Sequence, residues 1–169
     1  MKKIILIIAL AAVTLVQTTF AQDTANVPMQ KVIGDYLNVK RLLTKDNADS
    51  VSAYANILSD DLQKIPMEKF SEDQHKIWMQ HYDALEDGAA AIGKSVNLKN
   101  QRKQFADFSS HFYKILKSLS FNTVDLFYQY CPMADAYWIS DNSKIANPYY
   151  GRQMPSCGST KETLKANSK

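Results

Sequence analysis

Residues 97–119, NLKNQRKQFADFSSHFYKILKSL, decide the fold. Leu98, Phe105, Phe108, Phe112, Ile115, Leu116 and Leu119 recur at three- and four-residue steps, with Arg102 filling the one gap. The result is one apolar stripe along about six helical turns. A helix carrying such a stripe must bury it against other helices or a sheet. Asn97, just ahead of the stripe, is a residue type that caps helix starts.

Moving outward toward the N-terminus, three more segments carry the same period. Pro28 is placed to open a first helix, whose stripe is Val32, Ile33, Tyr36, Leu37 and Leu43, with Lys40 contributing its aliphatic stem. Asp46 or Asn47 can cap a second, in which Val51, Tyr54, Ala55, Leu58, Leu62 and Ile65 repeat until Pro66 stops the run. Ser71 and Gln74 form a Ser-x-x-Gln capping box that opens a third, with Trp78, Tyr82, Leu85, Ala89 and Ile92 on one face. Four amphipathic segments joined by short polar loops predict a mainly α chain with an antiparallel four-helix bundle over residues 27–120.

The pattern changes beyond Ser120. From Thr123 to Tyr130, Val124, Leu126, Tyr128 and Tyr130 alternate with Asp125, Phe127 and Gln129, which is strand periodicity. Ala136 to Ile139 is its expected partner. The Asn147-Pro148 and Tyr150-Gly151 dipeptides are turn signals. Residues 121–160 are therefore expected to form a small loop-rich C-terminal cap with a short β-hairpin, and residues 161–169 a polar, frayed tail.

At the other end, residues 1–21 have a charged start at Lys2 and Lys3, an apolar run from Ile4 to Val16, and the small residues Thr19 and Ala21 around Phe20. This is the layout of a secretory signal peptide, cleaved after Ala21. The run is shorter than the roughly 20 residues of a membrane span. The expected product is a single domain over 22–169, secreted to the periplasm, with no membrane span once the leader is removed. Of 20 basic side chains two lie in the leader, leaving 18 against 17 acidic ones. A chain so close to neutral has no field to attract nucleic acid.

Chemistry concentrates in two short stretches of the cap, Tyr130-Cys131-Pro132-Met133 and Met154-Pro155-Ser156-Cys157. They hold both cysteines and two of the six methionines. Thiolate and thioether sulfur are soft ligands suited to Cu(I) or another soft metal ion. Cys131 and Met133 share one side of an extended segment, and Met154 and Cys157 are one turn apart, so each pair suits one metal ion. A Cys131–Cys157 disulfide is the rival reading, closing a loop of about 25 residues for roughly 3 to 4 kcal/mol in the chain-entropy model. Both remain open, and a reversible disulfide makes metal binding redox-dependent.

Elsewhere the chain reads as scaffold. His75 shares a helix face with Met79, His81 points elsewhere, and His111 lies on the helix that leads toward Cys131. No His-Glu-x-x-His or Cys-x-x-Cys-His motif occurs. No nucleophile elbow is present, and Asp60, Asp61, Glu86 and Asp87 read as solvated helix ends. The chain is not read as an enzyme. The aromatic group Phe127, Tyr128, Tyr130, Tyr137, Trp138, Tyr149 and Tyr150 fits a packed cap, with a binding surface as the alternative.

Tyr130-Cys131-Pro132-Met133-Ala134, Ala136-Tyr137-Trp138-Ile139-Ser140, Ile145-Ala146-Asn147-Pro148-Tyr149-Tyr150-Gly151, Met154 and Cys157-Gly158 together resemble a bacterial secreted domain of unknown function, domain of unknown function 3347. That domain is also found appended to the periplasmic adaptor subunits of heavy-metal efflux pumps. The resemblance implies a periplasmic role in soft-metal, chiefly copper, homeostasis or efflux, with Cys131, Met133, Met154 and Cys157 as the metal ligands. A heavy-metal efflux or envelope protein is the implied partner. One departure is visible: only Ala134, Asp135 and Ala136 separate Met133 from Tyr137, where relatives carry a longer, glycine-containing loop. The alternative function is a disulfide-stabilised helical interaction module of the cell envelope that binds no metal.

Overall fold

The helix predicted over 97–119 is the spine of the molecule. The computed structural model describes residues 17–167, with side chains described from Ala25 onward. Five α-helices precede a three-stranded antiparallel sheet: α1 Gln17–Thr44, α2 Ala48–Leu62, α3 Glu72–Met79, α4 Tyr82–Lys94, α5 Leu98–Leu119, then β1 Leu126–Cys131, β2 Ala136–Ser140 and β3 Ser159–Leu164, in spatial order β2-β1-β3. Mainly α with a small C-terminal sheet is the expected class, and a helical bundle forms the body. The expected leader's apolar core, Ile4–Val16, lies outside the described residues.

The stripes became the core. Phe105, Phe108, Phe112 and Ile115 of α5 have no exposed surface, and neither do Val32, Tyr36 and Leu43 of α1 or Val51, Ala55 and Leu58 of α2. Lys40 is buried as its stem predicts, with its ammonium group donating to Ser140 Oγ at 3.0 Å. Tyr54 is the exception in α2, being largely exposed. Asn47, rather than Asp46, caps α2 by accepting from Ser50 N–H at 3.1 Å.

Three boundaries differ from those the sequence suggests. α1 does not begin at Pro28 but runs through it, because Ala25 and Met29 continue the buried stripe upstream and packing holds the turn despite the missing N–H. The third predicted helix is two: Gln80 and His81 interrupt it, with His81 at φ −126° and ψ −14°. The spacing of Trp78, Tyr82 and Leu85 suits one helix, so periodicity gives no sign of this break. The capping box at its start is present, Ser71 Oγ accepting from Gln74 N–H and Gln74 Oε1 from Ser71 N–H.

The third difference is the tail. Ser159–Leu164 is a strand, not a frayed end, pairing with β1 through a bulge at Tyr128/Gln129. It reads as polar because it is an edge strand whose residues are mostly exposed. α5 holds it in place: Tyr113 and Lys117 both donate to Glu162, while Tyr113 stacks on Tyr128 with centroids 3.6 Å apart.

The opposite edge, β2, faces the bundle, and two tyrosines complete its hydrogen bonding. Tyr36 Oη accepts from Ile139 N–H at 2.9 Å and pairs with Ser109 Oγ at 2.8 Å, while Tyr149 Oη donates to Tyr137 C=O. Tyr36 also stacks on Phe105 with centroids 5.0 Å apart, so one side chain serves both the core and the sheet edge. Tyr36→Phe keeps the packing but leaves the Ile139 N–H unpaired in a dry site. It should cost about 1–3 kcal/mol in urea unfolding, whereas Tyr54→Phe on the exposed face should leave stability within about 0.5 kcal/mol.

Candidate functional site

Strand register puts Cys131, the last residue of β1, on the same face as Gln129 and Trp138, all with no exposed surface. The chain then turns through Pro132–Asp135, with Asp135 in the left-handed region at φ 45° and accepting from Tyr130 Oη at 2.8 Å. The tight hairpin turns the backbone N–H groups of Met133 and Ala134 toward Cys131 Sγ. Across from it, Cys157 follows the Met154-Pro155-Ser156 turn, its N–H donating to Met154 C=O at 3.3 Å.

The two thiols face one another, Sγ to Sγ at 3.2 Å, both free. A disulfide requires about 2.0 Å. Two sulfurs on one tetrahedral metal with bonds near 2.3 Å lie roughly 3.7 Å apart. The pair thus stands between these geometries, about half an ångström of opening from one and about one ångström of closing from the other.

Their protonation is unequal. Burial pushes the Cys131 thiol up, but the Cys157 thiol, the Ala134 N–H, the Asn147 amide and the Met133 N–H together outweigh it, and Cys131 ionises below the ordinary thiol range. Cys157 moves the opposite way because it is the hydrogen-bond partner of the Cys131 sulfur, with burial adding to the rise. In the reduced pair Cys131 is the first of the two thiols to ionise and Cys157 the later.

Asn147, itself fully buried, organises the opposing loop. Its Oδ1 accepts from Tyr149 N–H at 2.8 Å and Tyr150 N–H at 3.3 Å, and its Nδ2 donates to Cys157 C=O at 2.8 Å. Its own N–H donates to Pro155 C=O at 3.0 Å, and its C=O accepts from Gly151 N–H at 3.1 Å. The loop is tied to the bundle by Arg102, which donates to Pro148 C=O at 2.8 Å, to Leu43 C=O at 3.2 Å and to the Asp46 carboxylate. Gly151 sits at φ +53° against this ion pair, where a Cβ would lie 2.0 Å from Asp46 Oδ1, so no other residue fits.

Of the four sulfur residues singled out in the sequence, the structure brings the two cysteines together. Met133 and Met154 join them through backbone: the Met133 N–H reaches both sulfurs and the Met154 C=O receives the Cys157 N–H. The Met133 side chain is 64% exposed and Met154 is half-buried. Met133 also lines a groove of about 830 Å³ between α5 and the cap, whose α5 wall carries Lys99, Arg102 and Lys103.

Among the described residues, no group of three or more His, Cys, Asp and Glu side chains is placed to hold a metal ion. Neither a histidine nor a carboxylate therefore completes the thiol pair. His111 instead faces His81, Nδ1 to Nδ1 at 3.1 Å, while His75 is exposed. The His pair and Asn147 are the features that residue spacing misses. The Asn-Pro turn followed by Gly151 was the available signal for the second. The aromatic group is a packed cap: Trp138 is buried edge-to-face on Tyr149, and Tyr137 packs on Tyr128 and Tyr130.

This is a helical-bundle domain with a sheet-and-loop cap that presents a buried thiol pair. A family model described as "Protein of unknown function (DUF3347)" matches residues 32–123, and the chain belongs to that family. The match spans α1 from Val32 through α5 and ends before β1, so the thiol segments lie outside the matched residues. No curated protein and no solved structure matches the chain. None of the described helices is long and apolar enough to cross a membrane.

Replacing Asn147 with Ala strands the Tyr149 and Tyr150 N–H groups and the Cys157 C=O. The variant should lose on the order of 3 kcal/mol in denaturant unfolding, about 1 kcal/mol for each of the three unsatisfied groups. In the surviving folded fraction, Cys131 should become reactive to a thiol reagent that leaves it unmodified in the parent protein.

Proposed function

We propose that this protein binds a soft metal ion, Cu(I) foremost, at Cys131 and Cys157 with Met133 and Met154 as further sulfur donors, and serves copper homeostasis or efflux in the periplasm. One observation carries the reading: two free thiols face each other, Sγ to Sγ at 3.2 Å, with Cys131 buried at the end of β1 and Cys157 partly open to solvent. Thiolate is the ligand form, and N–H donors aimed at sulfur are what keep an anionic ligand stable in a dry site. The four donors are all soft, with no imidazole or carboxylate beside them, which suits Cu(I) over harder ions. The exposed Met133 side chain offers a donor that can swing onto an incoming ion or hand it on. A partner in an efflux system is part of this reading.

The 3.2 Å approach of the sulfurs favours a second reading, the disulfide-stabilised interaction module of the cell envelope. Thiol titration and intact mass on protein taken directly from cells separate the two, since a disulfide removes two hydrogens.

The test of metal binding is an anaerobic Cu(I) competition titration of the reduced protein beside Met133→Ala, Met154→Ala and the double Cys131→Ser/Cys157→Ser variant. The parent should bind one ion per chain, the methionine variants more weakly, and the double variant not at all. If all four compete equally poorly with a moderate chelator, the metal reading fails. Protons compete with metal for thiolate, so affinity should fall on acidification. Because the Cys131 pKa is lowered, its share of the affinity should persist to lower pH than for an ordinary thiol. Binding that ignores pH would mean thioethers act alone.

A further inference from the structure

Cys131 and Cys157 differ in access, which decides which sulfur of a disulfide is attacked. Cys131 Sγ lies at the end of β1 in a residue with no exposed surface, amid the Met133 and Ala134 N–H groups and the Asn147 amide. Cys157 keeps part of its surface and shares only the Met133 N–H. An external thiol can therefore reach only Cys157, and the sulfur it displaces is the buried Cys131.

We propose that the pair is a redox-active dithiol/disulfide couple that exchanges with small thiols and disulfides of the glutathione class, with Cys157 as the entry sulfur and Cys131 as the leaving and resolving thiolate. In reduction, an external thiolate attacks Cys157 Sγ, the S–S bond breaks, and its electron pair stays on Cys131. A second external thiol then attacks the mixed disulfide, releasing the small disulfide and leaving Cys157 to take up the proton. The sum is protein disulfide plus two thiols giving protein dithiol plus one small disulfide. Oxidation runs in reverse: Cys157 opens the small disulfide, and Cys131, 3.2 Å away, attacks the resulting mixed disulfide and expels the second thiolate.

Two features set this couple apart from a structural staple. The loop between the cysteines is held by the five hydrogen bonds of Asn147 and by Arg102 while both thiols are free, so opening the S–S bond does not release the loop and the two sulfurs stay in place to close it again. The sulfurs also lie 3.2 Å apart in the reduced state, so the couple opens and closes by a side-chain movement of about one ångström. The proposal stands independently of metal binding, although oxidation would remove both thiolates from any bound soft ion.

The experiment uses chelator-treated, metal-free protein equilibrated in glutathione buffers of graded ratio, quenched by alkylation and read by intact mass. Dithiol and disulfide forms should interconvert within the range of the buffer. Peptide mapping of the first mixed disulfide on the parent protein should place glutathione on Cys157. Cys131→Ser should form a mixed disulfide at least about tenfold faster than Cys157→Ser, following access to sulfur. A disulfide that stays closed at every ratio, glutathione found first on Cys131, or equal rates in the two variants would each overturn the proposal. Mapping on the parent keeps the test valid if a serine variant misfolds. Because no metal is present, a failed Cu(I) titration has no bearing on the outcome.

Discussion

Asn147, through its buried side chain and its own N–H, joins the turn at Pro148–Gly151 to the turn at Pro155–Cys157. Without those bonds neither turn has regular secondary structure to satisfy its backbone, and buried unpaired amides are costly. The position of Cys157 depends on this link, because its carbonyl is held by the Asn147 amide. The placement of the whole loop depends in turn on Arg102, which donates to the Pro148 carbonyl from the second turn of α5. The thiol pair is thus referenced to α5 through two polar residues rather than by apolar packing alone.

Holding a thiolate in such a place requires compensation, since burial favours the neutral form. Four donors supply it at Cys131: one thiol, two backbone N–H groups and one amide. The backbone pair comes from the short hairpin, whose Asp135 takes the left-handed conformation that closes it. The metal binding and the thiol exchange proposed above would both draw on this arrangement, because each needs a thiolate beside a second sulfur.

The bundle was legible in the sequence because its information is periodic. Val32, Tyr36 and Leu43, or Phe105, Phe108 and Phe112, announce a buried face by spacing alone, and Lys40 was readable by its stem. The Ser71 and Gln74 box was readable because its two bonds are local. The break at His81 was not, since the apolar spacing runs straight across it, and its Nδ1 contact is with His111 on another helix. β3 was missed because an edge strand clamped by Tyr113 and Lys117 can be polar along most of its length. The sulfur residues stood out by type, yet what lowers the Cys131 pKa is its approach to Cys157 and to the amide groups around the turn, which residue identity does not encode.

The account turns on the unequal ionisation of two adjacent thiols, and a ¹³Cβ chemical-shift titration of the reduced, metal-free protein labelled at cysteine measures it directly. Cys131 should titrate below the ordinary thiol value and Cys157 above it. Two cysteines titrating together at the ordinary value, or Cys131 titrating above Cys157, would contradict it.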